Sequence, residues 1–294
     1  MIQPIEFRGR FMRFTKMHGA GNDFVLVDGF RGELPLALPD LARRLCDRRL
    51  GVGGDGLIAI EPAADVDFCM RIFNADGSEA EMCGNGLRCA FKYLRDRDRI
   101  RDDRAVARTV AGRSELRLVA AGAGVESIGV EMGRPRLDPR PGEVAGSSGS
   151  CVPLTIEGRR FEAVCVWIGN PHAVIFLNGS VADFEVERYG PAIEHHPFFP
   201  DRTNVEFVEP LGRSEVNQRT WERGSGETLA CGSGACATVV GGCLTGRLEA
   251  EVDVHLRGGD LRIHWPGEGR PVHLVGPAVE VFEGRWIGEG AADA

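Results

Sequence analysis

One stretch of this chain occurs twice, and that repetition limits the fold more than anything else in the sequence. Residues Phe73–Gly86 read FNADGSEAEMCGNG, and residues Trp221–Gly234 read WERGSGETLACGSG. Each runs from an aromatic residue through a polar turn to Cys-Gly-x-Gly. Cys83 and Cys231 stand 231 − 83 = 148 positions apart, and the same offset sets Gly21-Asn22 on Gly169-Asn170, Glu61-Pro62 on Glu209-Pro210 and Arg71 on Arg219. Agreement at several separated points implies a duplicated domain, with the boundary near Met132-Gly133. The expected domains are residues 1–132, rejoined by a C-terminal strand at about 277–294, and residues 133–276. One site built between the copies would draw a cysteine from each.

A chain of 294 residues is long enough for two such domains, each with its own core. Its 43% hydrophobic and 27% charged content belongs to the soluble globular class. The formal net charge of −8, with no basic stripe, excludes a general nucleic-acid binder. No apolar run approaches the roughly 20 residues of a membrane span, and Glu6, Arg8 and Arg10 interrupt any signal-peptide core. A cytoplasmic location is expected. Nine cysteines without regular spacing then read as reduced thiols, and residues 1–11 as a leader ahead of Met12.

The patterns give an α+β fold, with many short strands, few helices and no βαβ alternation. Met17–Asp23 reads as a glycine-rich loop, followed by a buried strand at Phe24–Val27. Asp40–Leu50 has helical spacing, and Gly51-Val52-Gly53-Gly54-Asp55-Gly56 turns into the strand Leu57–Ile60. After the strand Asp67–Phe73, a helix opens at the first cysteine and runs to about Leu94. Strands are expected near Val106–Val110, Leu116–Val119 and Val125–Met132, then a surface connection over Arg134–Ser150. The second copy repeats the order: strand Phe161–Ile168, loop Gly169–His172, strand Ala173–Leu177 and helix Val186–His195. Strands Val205–Val208 and Val216–Trp221 lead to a helix at Gly232–Leu244. Short strands near Val252–Leu256, Leu261–Trp265, Val272–Val275 and Val279–Phe282 close the chain.

A cysteine at the mouth of a helix has a chemical meaning. The first peptide N–H groups of a helix lack internal partners and the dipole adds positive potential, so a thiol there is acidified and a carboxylate there is held. Two such turns facing one small molecule would put a thiol on each face of its reacting carbon. One removes a proton, the other supplies one, and the stereocentre inverts. Cys46, Cys69, Cys151, Cys165 and Cys243 read instead as small buried hydrophobes. Cys89 and Cys236 do not complete a zinc site, because on a helix Cys83 to Cys89 turns roughly 240° and Cys231 to Cys236 roughly 140°. No metal is expected. On the residues alone, Asn22 and Asn170 remain open to a plain turn role, Glu222-Arg223 to a solvated pair and His172 to a strand-entry role.

The segments MHGAGNDFVLVDG, FNADGSEAEMCGNGLRC, IGNPHAVI and WERGSGETLACGSGAC closely resemble the diaminopimelate epimerase family, from about Met12 to about Gly284. The resemblance implies two similar domains, each a curved mixed sheet around a central helix, with the active site between them. It implies a cofactor-independent epimerase that interconverts LL- and meso-2,6-diaminopimelate in lysine and cell-wall precursor biosynthesis, and a homodimer. Cys83 and Cys231 would be its two acid/base thiols, supported by His172 and Glu222. Gly84, Asn85, Gly232 and Ser233 would hold the reacting α-carboxylate. Asn22, Asn74, Asn170, Asn204, Glu222 and Arg223 would read the other charged groups, Arg223 gripping the distal carboxylate. One departure is Gly56, where some members carry glutamine. Two cysteines alone would equally permit a proline racemase, and a duplicated amino-acid-binding module would explain the cradles without the thiols.

Overall fold

The computed structural model describes residues 11–32, 34, 37–122, 125–140, 143–144 and 151–287. Residues 1–10 of the leader, and much of the Arg134–Ser150 connection, lie outside the described residues. The chain divides into two compact units, one comprising Met1–Gly19, Asp23–Ile128 and Pro277–Ala294, the other Ala20–Asn22 and Gly129–Gly276.

In the first unit the order is β1 (Met12–Gly19), β2 (Asn22–Asp28), α1 (Leu38–Leu45), β3 (Gly56–Glu61), β4 (Phe68–Asn74), β5 (Glu79–Ala80), α2 (Gly84–Asp96), β6 (Arg104–Thr109) and β7 (Gly112–Gly122), with β8 (Val125–Glu131) leading out. β2 runs parallel to β3, β3 antiparallel to β4, and β4 parallel to β6, so the sheet is mixed. Phe24–Val27 and Leu57–Ile60 are buried without a break. A strand covered on both faces reads as a continuous apolar run, and here alternate residues serve opposite layers. Leu57, Ala59 and Phe73 pack with Leu38, Leu41 and Leu45 of the outer helix α1. Ile58 and Ile72 face Gly86 on the inner helix α2.

The second unit follows the same plan: β9 (Cys151–Ile156), β10 (Arg159–Ile168), β11 (Asn170–Phe176), α3 (Val186–Glu194), β12 (Asn204–Pro210), β13 (Glu215–Glu222), β14 (Gly226–Thr228), α4 (Gly232–Leu244), β15 (Glu251–Leu256), β16 (Gly259–His264) and the start of β17 (His273–Trp286). The pairings of β2, β3 and β4 recur in register in β11, β12 and β13. Val25 pairs with Leu57 and Leu57 with Phe73; at the 148 offset Ala173 pairs with Val205 and Val205 with Trp221. Even an ion-paired fork recurs: Arg71 grips Glu79 at 2.7 and 3.0 Å, and Arg219 grips Glu227 at 2.7 and 2.9 Å. α4 has no polar face, which is why it sits inside, against β10, β11, β12 and β16. α3 covers the other face, its Tyr189 within an aromatic cluster of Phe161, Phe184 and Phe207.

The fold class follows the sequence: each unit is a mixed sheet around a helix. Several boundaries differ. The helix expected over Asp40–Leu50 stops at Leu45, because the Asp47 carboxylate accepts the amides of Arg49 and Leu50, both at 2.7 Å, and closes a turn. The glycine-rich loop of Met17–Asp23 shrinks to Ala20-Gly21, both at positive φ, because β1 continues to Gly19 and β2 starts at Asn22. That turn stays tight because Gly258 lies under it; a Cβ there would sit 2.0 Å from the Ala20 carbonyl oxygen. In the second copy only Gly169, at φ 78°, separates β10 from β11, so Asn170 and His172 lie on a strand rather than in a loop. β9 was not legible, and the two last strands expected are one, β17, whose tail pairs with β1 across a bulge at Lys16/Met17. All nine cysteines are free, but Cys151 is exposed and Cys69 and Cys243 only partly covered, so the buried reading holds for Cys46 and Cys165 alone of those five. Among the described residues no helix is long and apolar enough to cross a membrane.

Candidate active site

Each Cys-Gly-x-Gly turn opens the inner helix of its unit. Cys83 and Cys231 occupy the N-cap positions, both with extended backbone, at φ −145° and −121°. In the first unit the Gly86 amide donates to Cys83 Sγ at 3.5 Å, so the sulfur takes the place of a capping oxygen. Asn74, expected to touch substrate, ends β4 and donates from Nδ2 to Ser78 Oγ at 2.9 Å. Asn85 is buried behind the turn, and its Oδ1 accepts from Arg88 Nη2 at 2.8 Å. Arg88 is wholly buried and also donates from Nε to the Pro277 carbonyl at 3.1 Å. Sequence reading passed over Arg88. Its one signal is a guanidinium three positions beyond Asn85, on a stretch of helix whose other side chains from Leu87 to Phe91 are apolar.

The second unit gathers most of the remaining expected residues. Asn22 belongs to it through the Ala20–Asn22 turn. His172 is buried, with Nδ1 2.8 Å from Glu206 Oε1 and Nε2 2.8 Å from Asn170 Oδ1. Asn204 is occupied at both ends of its amide, donating to the Pro171 carbonyl at 2.8 Å and accepting the Arg223 amide at 3.0 Å. It therefore ties the β11 turn to the residue expected to grip a distal carboxylate. Glu222 accepts from Thr228 Oγ1 at 2.5 Å, and the Arg223 guanidinium donates to the Asp201 carbonyl at 3.2 Å. Cys231 Sγ lies 3.5 Å from Ser233 Oγ. Gly232 and Ser233 form the first turn of α4, as Gly84 and Asn85 do in α2.

The thiol chemistry departs from expectation at Cys231. A helix N-terminus alone should acidify it, yet burial and the nearby Glu222 and Glu206 carboxylates push it well above the ordinary thiol value, against the pull of Ser233 and the Gly234 amide. The dipole contributes about 1 kcal/mol, whereas a thiolate closed off from water and set beside two carboxylates loses more than that. Cys231 is therefore a protonated thiol in the free protein.

The departure noted at Gly56 also has a cause. Gly56 opens β3, and a Cβ there would lie 2.7 Å from the Phe73 carbonyl oxygen, so this backbone accepts no side chain at that position. Next to it a polar clamp holds the glycine-rich turn: Lys16 Nζ donates to Asp23 and to the Gly53 carbonyl, and Arg48 bridges Asp23 and Asp55 at 2.7 and 2.8 Å. Burial pushes the Asp23 carboxyl up, but hydrogen bonds from Arg48 and Lys16 outweigh it and hold the group at about 2. A group depressed in the folded state stabilises fully above its unfolded value, near 4, and loses that contribution as pH falls through 2. Asp23→Asn should cost on the order of 2 kcal/mol at neutral pH and only about 0.4 kcal/mol at pH 2, where the folded-state carboxylate is half protonated. Urea midpoints at the two pH values check this; equal losses at both would contradict the clamp.

Comparison with known proteins covers most of the chain. The family model of diaminopimelate epimerase matches residues 14–137 and 164–281. A diaminopimelate epimerase of Desulforudis audaxviator is 49% identical over 278 residues, covering 94% of this chain and 99% of the relative. That of Moorella thermoacetica is 47% identical over 275 residues, covering 93% and 98%. Among solved structures, a hydroxyproline epimerase from Agrobacterium vitis superposes with a TM-score of 0.71 at 14% identity, covering 96% of this chain and 94% of that one. A phenazine biosynthesis protein of Bacillus anthracis superposes at 0.69 and 16% identity, covering 94% and 99%. At such identities these two show a shared fold and no more.

Proposed function

Because the chain belongs to the diaminopimelate epimerase family, we propose that Cys83 and Cys231 are the two acid/base groups with which it inverts one α-carbon of diaminopimelate. The protein is an isomerase that interconverts the LL and meso forms in lysine biosynthesis. The observation that carries the assignment is the pair of equivalent helix starts, each with a cysteine at the N-cap. Among the described residues no other reactive side chain recurs in that setting in both copies.

The energetic problem is severe, since an amino-acid α-proton is very weakly acidic and a free thiol has a pKa of about 8.5. Stabilisation must come from fixed dipoles aimed where charge develops. The amides of Gly84, Asn85, Gly232 and Ser233 hold the α-carboxylate, so that negative charge spreading onto it as the carbanion forms meets helix N-termini. Cys231, protonated before substrate arrives, enters as the acid, so the two-base reading requires Cys83 to take the α-proton. Inversion leaves the proton on Cys83 and the thiolate on Cys231; the opposite direction runs back through the same states. Asn22, Asn74, Asn170, Glu222 and Arg223 fix the ammonium groups and the distal carboxylate, and His172 supports the reacting centre. The two epimerase domains of this reading are residues 1–132 with 277–294, and residues 133–276; the strand register repeated at the 148 offset supports them. The reading also places the protein in the cytoplasm as a homodimer, for which the exposed Val281 and Phe282 on β17 offer apolar surface.

Incubation of reduced protein with LL-diaminopimelate in heavy water tests the two-base reading. At early times the meso product should carry one deuterium at the inverted carbon while recovered substrate carries none, because the group that delivers the proton is not the one that removed it. Equal deuterium in recovered substrate and product would mean a single base and would overturn it.

A further inference from the structure

The duplication is broken at a buried ionisable pair. At the 148 offset His172 falls on Phe24 and Glu206 on Ile58. In the first copy Ile58 Cδ1 lies 3.3 Å from where a Gly86 Cβ would stand, an apolar contact between sheet and inner helix. In the second copy that position is Glu206, whose Oε1 lies 2.5 Å from the corresponding point on Gly234. Gly234 cannot carry a side chain while the carboxylate is there. Glu206 and the His172 side chain are fully buried, and Glu206 Oε2 finds no hydrogen-bond partner among the described residues. Replacing an apolar pair by a buried ionisable pair with an unsatisfied oxygen lowers stability, and the first copy shows that the fold does not require it.

We propose that Glu206 is a positioning residue for the epimerisation: it fixes the His172 ring through Nδ1 and places a negative charge behind the Cys231 turn. The assignment rests on the reading of Cys231 as a reacting thiol. Glu206 does not touch substrate. It acts on two groups that do the work, on β11 through the 2.8 Å contact with His172 and on α4 through its place against Gly234, three residues beyond Cys231. With a carboxylate at Nδ1, the ring keeps its proton there. On the other side Asn170 lies 2.8 Å from Nε2, and with the proton on Nδ1 it is the NH2 of its side-chain amide that must turn to Nε2 to lock the ring. The negative charge opposes a thiolate at Cys231, so the Cys231 thiol keeps its proton until substrate binds. Glu222 of β13 faces the same sulfur and acts in the same sense, and Ser233 and the Gly234 amide act against both.

The test is Glu206→Gln, which keeps size and hydrogen bonding and removes one charge. With Cys231 as a reacting acid, the alkaline limb of kcat/KM for diaminopimelate should move to lower pH in both directions, by about one pH unit. KM should change little. A side chain that only filled space would lower activity at every pH and leave the limb in place, and an unmoved limb in folded Glu206→Gln overturns the proposal. A second measurement needs no change at Glu206. Nitrogen-15 NMR of the wild-type protein, with His172 assigned by its loss in His172→Gln, should show Nδ1 protonated at neutral pH. A bare Nδ1 overturns the proposal even if Glu206→Gln fails to fold. Cys231→Ser separates this proposal from the reading beneath it: full activity there would sink the role of Cys231, whereas an inactive Cys231→Ser beside an unmoved limb in Glu206→Gln would sink only the role of Glu206.

Discussion

Serine at position 231 is expected to abolish epimerisation in both directions, with kcat falling on the order of a thousandfold or more, while the protein stays folded. The estimate follows from the usual worth of a positioned proton-transfer group, about 10²–10⁴-fold, and from the much weaker acidity of a hydroxyl. Cys231 is 5% exposed and packed at the mouth of α4, and serine keeps the N-cap geometry, so stability should change little. Cys83→Ser should lose activity to a similar extent, because each turnover uses both thiols once. The measurement is turnover of LL- and meso-diaminopimelate by each variant, with circular dichroism as the check on folding. Either variant retaining more than about a tenth of wild-type kcat would remove that cysteine from the mechanism.

Arg88→Ala should be the most damaging single change to stability near the site. Arg88 is the largest fully buried side chain, and removing it leaves a cavity under the first cysteine turn. It also strands Asn85 Oδ1 and the Pro277 carbonyl, the acceptors it serves at 2.8 and 3.1 Å. Together these cost about 3 kcal/mol, or roughly 6–12 °C in Tm for a chain of this size. Asn85 loses the partner that orients it, so KM should rise in the protein that remains folded. A Tm within about 2 °C of wild type would show that the guanidinium carries no structural weight there.

Much of this was legible in the chain because it is local or repeated. A Cys-Gly-x-Gly turn opening a helix is written in consecutive residues, and its recurrence at a fixed offset shows a duplication without any knowledge of contacts. Unbroken apolar runs such as Phe24–Val27 and Leu57–Ile60 mark strands covered on both faces, and they are. Element ends were less legible. Leu50 fits the helical spacing of α1, but the Asp47 side chain competes for the backbone, and a period cannot show which of two local bonds wins. Gly169 and Asn170 look like loop residues, yet one glycine at positive φ suffices for the turn and releases Asn170 to the strand.

By itself, then, the sequence determined the duplicated architecture and the two Cys-Gly-x-Gly turns that open the inner helices, since each depends on neighbours in the chain. Only the tertiary structure decided how those cysteines are charged. A helix N-terminus says that a thiol there should be acidic. The burial of Cys231 and the carboxylates of Glu222 and Glu206, which arrive from the neighbouring strands β13 and β12, say the opposite and win. Arg88 and Glu206 show the same limit: each is an ordinary charged residue along the chain, and each becomes decisive only when packing removes it from water, where an uncompensated charge costs far more than it does at a surface.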